Sequence, residues 1–182
     1  MTYRQVLQEI ARSSHGVVTT QLAREAGIPA VELRKTAARG FLHRIGHGAY
    51  RALLVPATPF TPYAEALAIA GSHSYLGPAS TLSIHGLIRC RRVIDVCVPR
   101  WPTRVVVPHV DVTRRIRCSC ELTMVRGIPA LTLVAALADY RPEYPEQGVG
   151  IVLDTARVTG RISEEEWNRV REVRHQRGWK DC

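Results

Sequence analysis

No stretch of this sequence approaches the roughly 18–20 consecutive apolar residues with which a helix crosses a bilayer. Met1–Ile10 has no apolar core and carries charges at Arg4 and Glu9, so it does not read as an export signal. Cysteine is sparse and unpatterned: Cys90, Cys97, Cys118, Cys120 and Cys182 are odd in number and irregularly spaced. That excludes the even disulfide framework of a small secreted domain and reads as reduced thiols. The expectation is a cytoplasmic protein with no membrane partner. Internal repeats and low-complexity segments are absent as well.

The signatures of common chemistries are also missing. There is no glycine-rich phosphate loop of the P-loop type. Asp95, in the strand-like run VIDVCV, is not followed by the Glu-x-Lys of a nuclease motif, because the next acids are Asp111 and Glu121. His85 has no Ser or Cys nucleophile placed beside it by motif and reads as a structural imidazole capping its helix. Cys118-x-Cys120 with Cys90, Cys97, His85 and His109 matches no common zinc-ligand spacing, and small buried or incidental thiols are the plainer reading. No catalytic residue, metal or cofactor is expected, and the chain does not read as an enzyme.

What the sequence has is positive charge. Its 182 residues carry a net charge of +9 on a composition that is 46% hydrophobic and 23% charged, that of a folded soluble protein. Residues 1–51 contribute +5, residues 52–141 another +5, and residues 142–182 contribute −1. Nucleic acid, an acidic protein or an anionic surface all suit such a charge.

The basic first quarter is also the most patterned. Thr2–Ser13 reads as a helix with Val6, Leu7 and Ile10 on one face. Val17–Val18 suggests a short strand. Thr19 and Thr20 are N-cap candidates for a second helix, since a side-chain oxygen there accepts from a first-turn N–H. Gly27 suits the left-handed residue that closes a helix, and Pro29 suits the opening of the next. Ala30–Arg39 then carries Val31, Leu33, Thr36 and Ala37 inward, with Arg34, Lys35 and Arg39 pointing elsewhere. Phe41–Ile45 returns through Gly46-His47-Gly48 into Ala49-Tyr50-Arg51. Helix, turn, helix and β-wing in this order predict a winged helix-turn-helix over residues 1–55.

Leu54–Pro62 holds three prolines in nine residues, each discouraging helix before it, so residues 56–62 read as a linker. Residues 63–182 read as a second, mixed α+β domain. Helices are expected at Tyr63–Ala70, Pro78–His85, Thr132–Tyr140, Gln147–Arg157 and Ser163–Arg177. The last opens with a Ser163–Glu166 capping box. Strands are expected at Val93–Val98, Val105–Val107, Asp111–Thr113 and Leu122–Val125, with Gly127-Ile128-Pro129 as a turn. The fold class is α+β overall.

In a helix-turn-helix the second helix enters the major groove, where base edges are distinguishable. Ala30, Glu32, Arg34 and Lys35 are therefore candidates for base contact, with Arg34 best suited to guanine. Thr20 and Gln21, at the start of the preceding helix, join the DNA-facing set. Arg39, Arg44 and Arg51 suit phosphates, which position a protein without specifying sequence. His43 and His47 sit in the wing. In the second domain Arg91, Arg92, Arg114, Arg115 and Arg117 suggest a further basic face, for DNA backbone or for an acidic protein.

The winged unit, followed by LGPASTLSIHGL (Leu76–Leu87) and VRGIPALTLVAALADY (Val125–Tyr140), resembles the AbiEi-type antitoxins of type IV toxin–antitoxin pairs. The resemblance implies a bacterial transcriptional regulator whose N-terminal domain binds inverted repeats in its own promoter. It also implies a C-terminal domain that neutralises a cognate nucleotidyltransferase-like toxin. Some longer relatives continue into a nuclease-like domain, which this sequence does not include, so no nuclease activity is carried over. A winged-helix regulator whose second domain dimerises or senses a ligand is the alternative.

Overall fold

The computed structural model describes residues 2–89, 92–101, 107–142 and 148–178. It is a mixed α+β structure with eight α-helices, one 3-10 turn and eight strands among those residues.

Helix α1 (Tyr3–Ser13) begins with a capping box, in which Thr2 Oγ1 accepts from the Gln5 N–H and Gln5 Oε1 accepts from the Thr2 N–H. Its inward residues, Leu7 and Ala11, are buried. Val17–Thr19 forms the expected short strand β1. Thr19, rather than Thr20, caps α2 (Thr20–Glu25), accepting from the Leu22 N–H at 3.1 Å. Gly27 has φ +74°, the left-handed turn a Cβ would strain. Helix α3 (Ala30–Ala38) starts one residue after Pro29, which is its N-cap residue rather than its first turn. Strands β2 (Leu42–Gly46) and β3 (Ala49–Ala52) complete a three-stranded sheet in the order β1-β3-β2.

Leu7, Val18, Ile28, Leu33, Leu42, Tyr50 and Val55 make the core of this unit. Leu33 alone, fully buried, is worth about 1.5–3 kcal/mol of apolar burial. About fifty residues make a marginal core, and this one leans on the next element. Helix α4 (Thr61–Ala70) begins two residues earlier than its sequence pattern suggests, with Pro62 in its first turn. It packs on β1, β2 and β3 on one side and on β5 on the other.

The remaining strands form one mixed sheet, β6-β5-β4-β8-β7. Three were anticipated: β5 (Ile94–Val98), β6 (Val110–Arg114) and β7 (Leu122–Val125). The expected strand at 105–107 falls largely outside the described residues, and Val107 is not in a strand. Two others were not anticipated: β4 (Tyr75–Leu76), and β8 (Ile128–Leu131), which starts inside the expected Gly127-Ile128-Pro129 turn. Helix α5 (Pro78–Ile84) follows β4, and α6 (Leu133–Asp139) follows β8 with Thr132 as its cap. Helices α7 (Val149–Val158) and α8 (Glu164–Gln176) close the fold, α8 with the expected Ser163–Glu166 capping box.

Candidate nucleic-acid interface

Helix α3 divides cleanly. Leu33 and Thr36 face inward, while Ala30, Val31, Arg34, Lys35 and Ala38 lie on the exposed side. Arg34 makes no hydrogen bond or ion pair with a described residue, leaving its guanidinium fork open. Lys35 reaches Glu32 at 2.8 Å, so Glu32 is held by its neighbour on the same helix. A pair of this kind on an exposed helix contributes about 0.3–0.5 kcal/mol and opens readily to another acceptor. Val31 was expected to point inward; it is 44% exposed and sits beside Arg34. An exposed valine beside the small Ala30 is suited to a thymine methyl group, and its apolar character alone pointed to burial.

The other candidates fall into separate groups. Arg39, the C-cap residue of α3, is exposed. His43 and Arg44 are exposed on β2, where Arg44 Nε donates to the Gly46 carbonyl at 3.1 Å. Thr20, Gln21 and His47 line a cleft of about 780 Å³ bounded opposite by Ala64, Leu67 and the Met124–Pro129 segment. Thr20 is tied to the hairpin through Gly48 O, and Gln21 donates to Glu25 at 3.0 Å.

Arg51, expected to suit a phosphate, is engaged within the fold. Its side chain is 13% exposed, pairs with Glu65 of α4, and donates to the carbonyls of Gly16, Ala52 and Val55. Gly16, at φ +88°, makes room: a Cβ there would collide with the Arg51 guanidinium. The residue joins the first sheet to α4. His15 marks the same junction, with Nε2 2.7 Å from the Arg126 carbonyl and its own carbonyl accepting from Thr61.

The arginines expected on a second basic face have different surroundings. Along residues 114–118 exposure alternates, placing Arg115 and Arg117 inward and Arg114, Ile116 and Cys118 outward. Arg115 and Arg117 both bind Asp139, which is buried at the end of α6 and also receives Arg177 at 2.5 Å. Arg92 and Arg114 are exposed, and Arg91 lies outside the described residues.

Two groups considered for chemistry have structural placements. The Asp95 carboxylate accepts from the Ala79 and Ser80 N–H groups and so caps α5 from a neighbouring strand. His85 is the C-cap residue of α5, and burial, then the nearby Arg161 charge, holds its imidazole below the ordinary value of 6.5. The neutral ring is thus favoured in the fold, and the unfolded chain takes up the proton first as pH falls. Stability present above pH 6.5 is therefore lost on acidification. Thermal melts across that range should show a smaller acid-side loss in His85→Gln than in the natural protein. Among the described residues no three His, Cys, Asp or Glu side chains group as a metal site.

An exposed helix bearing an open arginine, preceded by a second helix and a glycine turn, is the arrangement of a helix-turn-helix unit. Residues 5–52 match the model of the family described as "Transcriptional regulator, AbiEi antitoxin". The resemblance to AbiEi-type regulators therefore holds for this unit, while the Leu76–Leu87 and Val125–Tyr140 motifs lie beyond the matched residues. The chain is also similar to the crystal structure of the RV2827C protein from Mycobacterium tuberculosis, at 22% identity and a TM-score of 0.48, over 93% of this chain and 71% of that one. No curated protein matches.

Proposed function

We propose that residues 1–55 are a winged helix-turn-helix domain that binds inverted repeats in promoter double-stranded DNA and represses the chain's own operon. On this reading α3 lies in the major groove and the β2–β3 hairpin is the wing. Residues 56–62 are the linker, which gives way to α4 at Thr61. Residues 63–182 are the antitoxin domain, acting in the bacterial cytoplasm on a cognate nucleotidyltransferase-like toxin. The observation that supports this best is the outward strip of α3, Ala30-Val31-Arg34-Lys35, inside a unit matched by an antitoxin and regulator family.

Two measurements test it. Binding to the promoter repeats, titrated against salt, is expected to give a log–log slope near −4, from roughly four or five neutralised phosphates at about 0.9 each. Arg39→Gln should lower that slope by about one phosphate equivalent, whereas Arg51→Gln should leave it unchanged, because Arg51 is engaged inside the fold. A flat salt dependence would remove the DNA assignment. Co-expression with the neighbouring toxin tests the second half: growth should be rescued by the full chain. Promoter binding without rescue would favour a regulator that is not an antitoxin.

A further inference from the structure

Cys118 and Cys120 flank the first residue of a short 3-10 turn, Ser119–Glu121, that leads into β7. Both are exposed, so of the two expected readings, buried or incidental, burial does not apply to them. The separation of two α-carbons on either side of one residue depends on that residue's backbone alone. With Ser119 in a 3-10 conformation it is about 5–5.5 Å, within the roughly 4.4–6.8 Å over which a disulfide closes. The turn is held by the Glu121 N–H donating to the Cys118 carbonyl at 3.0 Å, which keeps both thiols on one exposed turn.

We propose that Cys118 and Cys120 are a redox dithiol that closes to an intramolecular disulfide by exchange with low-molecular-weight disulfides such as oxidised glutathione. The Cys118 thiolate attacks one sulfur of the disulfide, forming a mixed disulfide and releasing one thiolate, which takes up a proton. Cys120 loses its proton and attacks the Cys118 sulfur, so the second low-molecular-weight thiol leaves. Two protein S–H bonds are lost and one S–S bond forms, while the disulfide reagent is reduced to two thiols.

The local chemistry orders the two roles. The hydrogen bond from Cys120 favours the Cys118 thiolate and holds that thiol below its ordinary value, while Cys120 is pushed up by the same contact. Attacker and resolving thiol are thus distinguished. Cys97 is a contrast: burial, then the Asp95 charge, pushes it up to about 11, which leaves it inert to exchange. A ring with one intervening residue constrains the unfolded chain little, so the bond is suited to reversal rather than to stapling. Its neighbour Glu121 accepts from Arg117 at 2.8 Å and, through its carbonyl, from the Thr132 N–H at 2.8 Å. The pair therefore sits on the strut that holds both ends of α6.

The full chain, equilibrated in glutathione buffers of rising oxidation and then acid-quenched, is digested with trypsin and weighed. The peptide Cys118–Arg126 contains these two cysteines and no other. It should lose two hydrogens as oxidised glutathione rises and regain them with dithiothreitol. Cys120→Ser should stop at the mixed disulfide on Cys118, and Cys118→Ser should take up glutathione more slowly than Cys120→Ser. The proposal is overturned if the peptide stays reduced throughout, if the natural protein stops at a mixed disulfide, or if the peptide is found joined to Cys90 or Cys182.

Discussion

Asp139→Asn is expected to cost about 3–5 kcal/mol of folding stability, read as a fall in the urea midpoint with an unchanged slope. The side chain is 3% exposed and faces three guanidiniums: Arg115 and Arg117 from the segment after β6, and Arg177 after α8. Asparagine keeps the shape and removes the charge that makes their association favourable. Arg115 and Arg177, each about two-fifths exposed, can turn toward water. Arg117 is 13% exposed and its Nε is already buried without a partner, so it cannot. The cost therefore resides mainly in Arg117, which would keep only the partly exposed Glu121 as its counter-charge. Removing both members tests this: Asp139→Asn with Arg117→Met should recover much of the loss, since a buried ion pair exchanges for packed apolar groups at little net cost. A loss below about 1 kcal/mol in the single variant would mean that the guanidiniums are hydrated. The neighbouring carbonyls sharpen the expectation. Arg174 donates to Leu137 O and Tyr140 O, and Arg177 to Ala138 O, so α8 supplies the cations that complement the C-terminal end of α6.

What was legible in the sequence is what local chemistry decides. Ser163 and Glu166 announce α8 because both halves of the capping box lie within one turn. Gly27 marks the end of α2 because its backbone is left-handed there. The strand β1 follows from Val17–Val18 and pairs with β3 as the wing pattern suggests. Strand β8 was not legible: Pro129 has no N–H to give a ladder, and β4 meets β8 at Leu76↔Ala130 beside it. Strand β4 is two residues long and too short for any alternation to show. At the site the limit is different. Sequence counts an arginine as a charge, but Arg51, Arg115 and Arg117 are committed to Glu65 and Asp139, which are distant along the chain. Pairing across tertiary contacts has no local signature, so a basic patch read from composition overstates the cations that face solvent. What survives on α3 survives because Leu33 and Thr36 fix its rotation, and helical spacing then decides what points outward.

Arg34→Ala is the second large effect expected, a loss of about 1–3 kcal/mol in affinity for the promoter repeats, or roughly 5–150-fold. Its guanidinium is exposed in the middle of α3 and has no described partner, so nothing in the protein must be broken before it meets a base. The loss should appear with the specific repeats and be smaller with unrelated duplex, since base contacts discriminate and phosphate contacts do not. Arg34→Lys separates the two roles. A guanine contact needs the planar two-donor fork, so lysine should recover little of the loss; a phosphate contact needs charge, and lysine should recover most of it. Val31→Ala gives an independent reading of the same surface. If α3 lies in the groove, losing this exposed side chain should weaken binding at a thymine position without changing the salt slope. Unchanged affinity in both Arg34→Ala and Val31→Ala would take α3 out of the groove and leave the wing as the remaining contact.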